Sequence, residues 1–168
     1  QYHGALVGRL NAMSRAYVLL SREQWRQTSI RQILTAGLEP FSLPRITLDG
    51  PELKVAPESS LALGMVVHEL ATNAMKYGAL KNETGHIHIE WRTEGKQFRL
   101  TWREEGGPTV EKPSRTGFGR MVFEQMTGHA LQGAVDISYE PEGLKWTLTA
   151  PLRNVVASKP DEGLKNVI

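Results

Sequence analysis

Four segments in the second half of the chain place apolar residues at every second position: Ile87, Ile89 and Trp91; Phe98, Leu100 and Trp102; Val135, Ile137 and Tyr139; Leu144, Trp146 and Leu148. A period of two sends successive side chains to opposite faces, so each segment is a strand with one apolar and one polar face. Strands of this kind build a sheet that must be covered on one side and can meet water on the other. The cover has to come from helices, and the first half of the chain supplies the helical period. Residues 4 to 20 carry Leu6, Leu10, Met13, Tyr17 and Leu20 at spacings of three and four. A second helix is predicted over 30 to 38 behind Ser29 as N-cap, closed by Pro40. Pro57 opens a long third helix. Residues 45 to 48 and 52 to 55 read as two short strands around an Asp49-Gly50 turn, Glu94-Gly95 as a hairpin turn, and about 119 to 131 as a further helix. Helices first, then strands interrupted by helices, give an α+β chain: a mixed sheet with helices on one face.

With 168 residues the chain is long enough for one domain with appendages. A formal charge of only +2 does not indicate a nucleic-acid footprint, although the pI is near 9.0. The absence of cysteine excludes disulfide and thiol chemistry and is compatible with a reducing compartment. The longest apolar run, Leu61 to Val67, is too short to cross a bilayer, and no signal peptide opens the chain. The expectation is a cytoplasmic chain without membrane contact of its own.

The long helix contains H-E-L-A-T-N-A-M-K-Y-G-A-L, residues 68 to 80, whose first letters look like half of a zinc-protease motif. That motif needs a second His one turn on, and the position holds Thr72. His86 and His88 alternate outward on a strand and read as surface residues. On a helical wheel Val67, Leu70, Ala71, Ala74 and Gly78 fall within about 100° of one another, an apolar stripe for packing. The opposite face aligns Glu69, Thr72, Asn73 and Lys76, an acid, an amide and a base in one row. Such a row is equally the polar face of any helix, but Asn is a poor helix former that a plain surface would not favour.

Strand parity carries the inward side from Phe98, Leu100 and Trp102 to Glu104, so a carboxylate points inward at a strand end. Gly106-Gly107-Pro108 follow as a tight corner where backbone can approach a flat ligand. Gly117-Phe118-Gly119 then precedes the predicted helix at 119, an arrangement that offers backbone N–H groups to phosphate, although a glycine pair before a helix is also an ordinary loop. Between corner and loop, Lys112 and Arg115 make the segment a candidate lid over an anion.

An acid-amide helix, an inward carboxylate with a glycine corner, and a glycine loop before a helix, in that order, resemble the ATP-binding domain of the histidine kinase, gyrase and chaperone superfamily. Within it, H-E-L-A-T-N-A-x-K-Y-G-A-L with W-R-E-E-G-G-P resembles the HWE histidine kinases, named for the His of the first motif and the Trp and Glu of the second. R-A-Y-V-L-L-S-R-E-Q-W and G-F-G are similar as well, and the likeness covers about residues 5 to 152.

The resemblance implies a two-layer α/β sandwich of the Bergerat type behind a helix of a dimerisation bundle. Residues 1 to 21 would be the second dimerisation helix, 22 to 152 the catalytic and ATP-binding domain, and 153 to 168 a polar, mostly disordered tail in which Val167-Ile168 could open a further domain such as a receiver. It implies ATP and Mg²⁺ as cofactors. Asn73 would ligate Mg²⁺, Glu69 would orient a water or assist as base, and His68 would support the site. Lys76 would neutralise phosphate charge and Tyr77 would line the pocket. Glu104 stands where the superfamily usually has Asp and would accept from the adenine amino group beside Trp102, Gly106 and Gly107. Arg115, Gly117, Phe118 and Gly119 would complete the nucleotide site.

The family's phosphoacceptor helix has no match here. His3 lacks the expected neighbours, so no phosphoacceptor is expected in this chain, which should bind ATP without autophosphorylating. The implied partners are a response regulator, an upstream sensor domain and a second copy as homodimer partner. The competing readings are a nucleotide-sensing or scaffolding module that binds ATP without transfer, and a serine kinase acting as anti-sigma factor, for which the Trp-Arg-Glu signature has no use.

Overall fold

The computed structural model describes residues 28 to 41, 43 to 109 and 130 to 157. Two layers are present. The elements in chain order are β1 (Thr28–Ser29), α1 (Ile30–Leu38), a 3-10 turn (Leu43–Arg45), β2 (Ile46–Asp49), β3 (Lys54–Val55), α2 (Pro57–Tyr77), β4 (His86–Glu94), β5 (Gln97–Glu105), β6 (Ala134–Glu140), β7 (Gly143–Pro151) and α3 (Leu152–Val155). β2, β4, β5, β7 and β6 lie side by side in that order as one sheet, with β2 parallel to β4 and the other neighbours antiparallel. The α+β architecture with a mixed sheet is therefore as expected, and α1 and α2 lie on its apolar face.

The local signals act as the sequence implies. Ser29 accepts from the Gln32 N–H while the Gln32 side chain returns to the Ser29 N–H, a complete capping box. A cap of this type is worth about 1 kcal/mol. Pro57 begins α2, where its missing N–H costs nothing. Ile87, Ile89, Trp91, Phe98, Leu100, Trp102, Trp146 and Leu148 are all buried and meet Ile30, Leu34, Leu38, Leu63, Val67 and Leu70 from the helices. β4 and β5 pair in register from His86↔Glu105 to Glu94↔Gln97, closed at Gly95 with φ of 60°.

Two expectations are corrected. The segments at 45 to 48 and 52 to 55 do not form a pair around Asp49-Gly50. β2 joins the edge of the main sheet alongside β4, and β3 pairs with β1 in a separate two-stranded ribbon. The chain between them folds over Trp91 instead, whose indole N–H donates to the Pro51 carbonyl at 2.6 Å while the Arg31 guanidinium lies 5.1 Å from its ring centroid. Residues 153 to 157, expected in a polar tail, are also packed on the fold. Leu152–Val155 is helical, Val155 is fully buried, and Val156 bridges Val55, because one apolar side chain at 155 reaches the core that the preceding strand has already approached. The helix expected over residues 4 to 20, nearly all of that expected over 119 to 131, and Val167-Ile168 lie outside the described residues.

Candidate functional site

The second half of α2 carries the acid-amide row. Glu69 is buried, Thr72 and Asn73 are half-buried, and Lys76 and Tyr77 are exposed in the last turn, Tyr77 at 69%. The row therefore runs from the core outward to solvent, grading from a desolvated carboxylate to an open cation. Thr72, the position a zinc protease would give to His, donates its hydroxyl to the His68 carbonyl at 2.8 Å and so serves its own helix. His68 is buried with its ring edge-on to Phe41, centroids 5.4 Å apart. The structure thus places His68 as a packed residue next to Glu69.

Glu104 points inward as strand parity requires and is only 2% exposed. One carboxylate oxygen, Oε1, accepts from the backbone N–H of Ala79 at 2.8 Å, and Oε2 accepts from the Trp102 indole at 3.0 Å. Trp102 is itself buried, so it reaches the site through Glu104. Burial pushes the Glu104 carboxyl above its usual value, and the Ala79 and Trp102 donors oppose that shift. Two N–H donors favour a carboxylate over an amide at this position.

The glycine corner explains how Glu104 meets α2. Gly106 adopts φ of 71°, the left-handed region that side chains avoid. A Cβ on Gly107 would stand 2.6 Å from the Ala79 Cα, so only glycine lets the corner touch the residue after the helix end. A Cβ on Gly78 would overlap Glu104 Oε1. The structure therefore brings Glu104, Gly106 and Gly107 against the end of the helix that bears Glu69, Asn73, Lys76 and Tyr77. Arg115, Gly117, Phe118 and Gly119 lie outside the described residues. On the outward face of the sheet His86 is exposed with its Nδ1 3.0 Å from the Thr84 carbonyl, and His88 pairs with Glu105; both line a cavity that reaches Gly106 and Gly107.

Four residues at the site were not singled out by sequence reasoning. Asn82 accepts through Oδ1 from the Thr84 and Gly85 N–H groups and donates to the Gly106 carbonyl at 3.2 Å; Thr84 donates to the same carbonyl at 3.1 Å. Arg45 binds the carbonyls of Ala79 and Gly85. Gly78 had been read only as part of the apolar stripe. Asn82 followed by Thr84-Gly85 is a turn signal that could have been used. Arg45 has no signal, since its partners are backbone.

A Mg²⁺ ion that arrives with phosphates fits these residues. No group of three or more His, Cys, Asp or Glu able to hold a metal exists among the described residues. Magnesium keeps most of its ligands from water and phosphate, and one half-buried amide oxygen at Asn73, a turn from Glu69, is sufficient protein for it.

Known proteins share this fold and parts of this sequence. Residues 1–52 match the family model described as HWE histidine kinase. The chain is 42% identical to a blue-light-activated histidine kinase of Brucella anthropi over 86% of its own length and 31% of that relative's, so it spans about a third of such a protein. Among solved structures, the histidine kinase domain of the Erythrobacter litoralis blue-light-activated histidine kinase superposes with a TM-score of 0.70 at 16% identity, covering 89% of this chain and 80% of that one. Full-length ShkA in complex with AMPPNP superposes with a TM-score of 0.58 at 17% identity, covering 91% and 37%. The fold is that of histidine kinase catalytic domains, and by sequence the chain is similar to HWE histidine kinases over residues 1–52 and to a blue-light-activated histidine kinase over most of its length.

Proposed function

We propose that this chain is the ATP-binding catalytic domain of a two-component sensor histidine kinase, transferring the γ-phosphate of ATP to a histidine outside this chain for relay to a response regulator. The observation that carries the reading is the meeting of the inward Glu104 and its glycine corner with the end of the Glu69-Asn73 helix. It sets a hydrogen-bond acceptor suited to an adenine amino group beside a helix face suited to a metal triphosphate. Binding of AMPPNP by ShkA, which shares the fold, supports the same reading. An upstream sensor domain and a homodimer partner belong to this proposal as well.

Phosphoryl transfer asks little covalent chemistry of the protein; positioning and charge neutralisation supply most of the rate. Asn73 would hold Mg²⁺ through its side-chain oxygen, and the ion would supply charge neutralisation at the phosphates. Glu69, buried one turn before Asn73, would orient a water or take up the acceptor's proton. Lys76, exposed in the last turn, offers its ammonium to the outer phosphates, and Tyr77 lines the pocket. Trp102 positions Glu104 through its indole N–H. Asn73→Ala is expected to abolish Mg²⁺-dependent nucleotide binding, read by titrating a fluorescent ATP analogue with and without Mg²⁺. Equal affinity in variant and wild type would remove Asn73 from the metal.

The placement of the histidines supports a chain that does not phosphorylate itself. His68 is packed against Phe41, and His86 and His88 are held on the outward face of the sheet by Thr84 and Glu105; His3 and His129 are outside the described residues. Incubation with labelled ATP should give no acid-labile label on this chain alone, and label should appear on a separate fragment bearing the family's phosphoacceptor helix. Binding of ATP with no transfer to that fragment would favour the nucleotide-sensing module.

A further inference from the structure

Arg45 ends the 3-10 turn ahead of β2 and is half-buried. Its Nε donates to the Gly85 carbonyl at 2.8 Å and its Nη2 to the Ala79 carbonyl at 2.7 Å. Both bonds are short and charge-assisted, the stronger class of hydrogen bond. Their acceptors are the two ends of the segment from Ala79 to Gly85, which joins α2 to β4. The ends are in close contact, since a Cβ on Gly85 would overlap the Ala79 carbonyl oxygen. One planar guanidinium therefore closes the segment, a task for which its fixed fork suits it and a lysine ammonium does not.

The closed segment is fastened to the candidate site at two further points. Asn82 and Thr84 hold the Gly106 carbonyl, and the Ala79 N–H holds Glu104 Oε1. Ala79 is thus gripped at both of its polar backbone groups, by a cation on its carbonyl and an anion on its N–H. No ion pair joins Arg45 to Glu104 among the described residues; their coupling runs through the backbone of Ala79.

We infer that Arg45 is a positioning residue for base selection: by closing the 79 to 85 segment it aims the Ala79 N–H at Glu104 and holds the carboxylate where the 6-amino group of adenine can meet it. This rests on the ATP reading above. Guanine presents an oxygen where adenine presents its amino group, and an oxygen facing a fixed carboxylate is repelled. If the carboxylate loosens, that discrimination fades before binding itself is lost.

The test uses the whole chain with Arg45→Ala and Arg45→Lys, read by amide hydrogen exchange without nucleotide and by competitive binding of ATP and GTP. In Arg45→Ala the Ala79 amide is expected to exchange about tenfold faster or more, while the β5 and β7 ladder amides stay protected. The preference for ATP over GTP should fall about tenfold, as expected for losing a charge-assisted bond's worth of positioning. Arg45→Lys, which can reach one carbonyl at a time, should recover part of both effects. An unchanged Ala79 amide, or a uniform loss for ATP and GTP with their ratio intact, overturns the inference and leaves Arg45 a loop staple. A wild-type chain that binds no adenine nucleotide overturns the ATP reading itself and the base-selecting role with it, whatever the exchange rates show.

Discussion

Glu104→Ala is expected to destabilise the chain by about 2 to 6 kcal/mol, because two buried donors, the Ala79 N–H and the Trp102 indole, each lose their acceptor at about 1 to 3 kcal/mol. Under the ATP reading it should also weaken adenine nucleotides by about 1.5 to 3 kcal/mol and collapse discrimination against guanine. Urea unfolding and nucleotide titration measure the two effects separately. Glu104→Gln isolates the chemistry from the cavity. An amide has one acceptor oxygen, so either orientation turns its NH₂ toward one of the two donors, and one hydrogen bond is lost whichever way it faces.

The direction of the pH response follows from the raised carboxyl. A folded-state value above the unfolded one means that the native chain holds this proton more tightly. The contribution to stability is full below the usual value near 4.5 and is lost as pH rises through the higher folded value. Nucleotide binding runs the other way, since only the ionised form presents acceptors alone; adenine affinity should fall as pH drops through that same folded value. A variant with Gln at 104 should show neither trend, and an unaltered pH profile in that variant would assign the titration to another group.

The second large effect is expected from a single methyl group. Gly78→Ala places a Cβ on top of Glu104 Oε1 and 3.1 Å from the Ala74 Cα. The φ there, −124°, lies outside the left-handed region, so the cost is argued from the collision and not from strain in the chain. The carboxylate has to leave, and the Ala79 bond goes with it. Overpacking of this type costs about 1 to 3 kcal/mol. The same change should remove base discrimination, although residue 78 carries no polar side chain. A double-mutant cycle checks the cause. In the Glu104→Ala background the obstructing oxygen is gone, so Gly78→Ala should cost less than about 1 kcal/mol, the low end of the overpacking range. Additive costs would show that Gly78 acts through the Ala74 contact and not through Glu104.

Much of the framework was legible in residue order because burial leaves a period. Isoleucine and tryptophan at 87, 89 and 91 fix which face of β4 is covered, and the same parity carried from Trp102 to Glu104 turns a carboxylate inward without any knowledge of its surroundings. Ser29 with Gln32, and Pro57, mark helix starts through chemistry completed within one turn. The identity of the candidate site residues on α2 came from the joint pattern of motifs and not from periodicity, which left the Glu69 row as good a solvated face as a binding face.

What only the tertiary structure decided is who stands opposite whom. A period of two gives a strand its faces but names no neighbour, so the pairing of β2 with β4 and of β3 with β1 could not be read from either segment. The depth of Glu69 was equally hidden, since a helical wheel gives direction and says nothing of what covers it. Arg45 and Gly78 are the clearest cases. The first grips two carbonyls from 34 and 40 residues away, and the second owes its identity to an oxygen 26 positions on. Backbone acceptors belong to every residue alike, and a glycine chosen for close approach matches one chosen for a turn. Contacts of that sort leave no complementary letter in the sequence; they exist only once the sheet has brought Glu104 to the end of the helix.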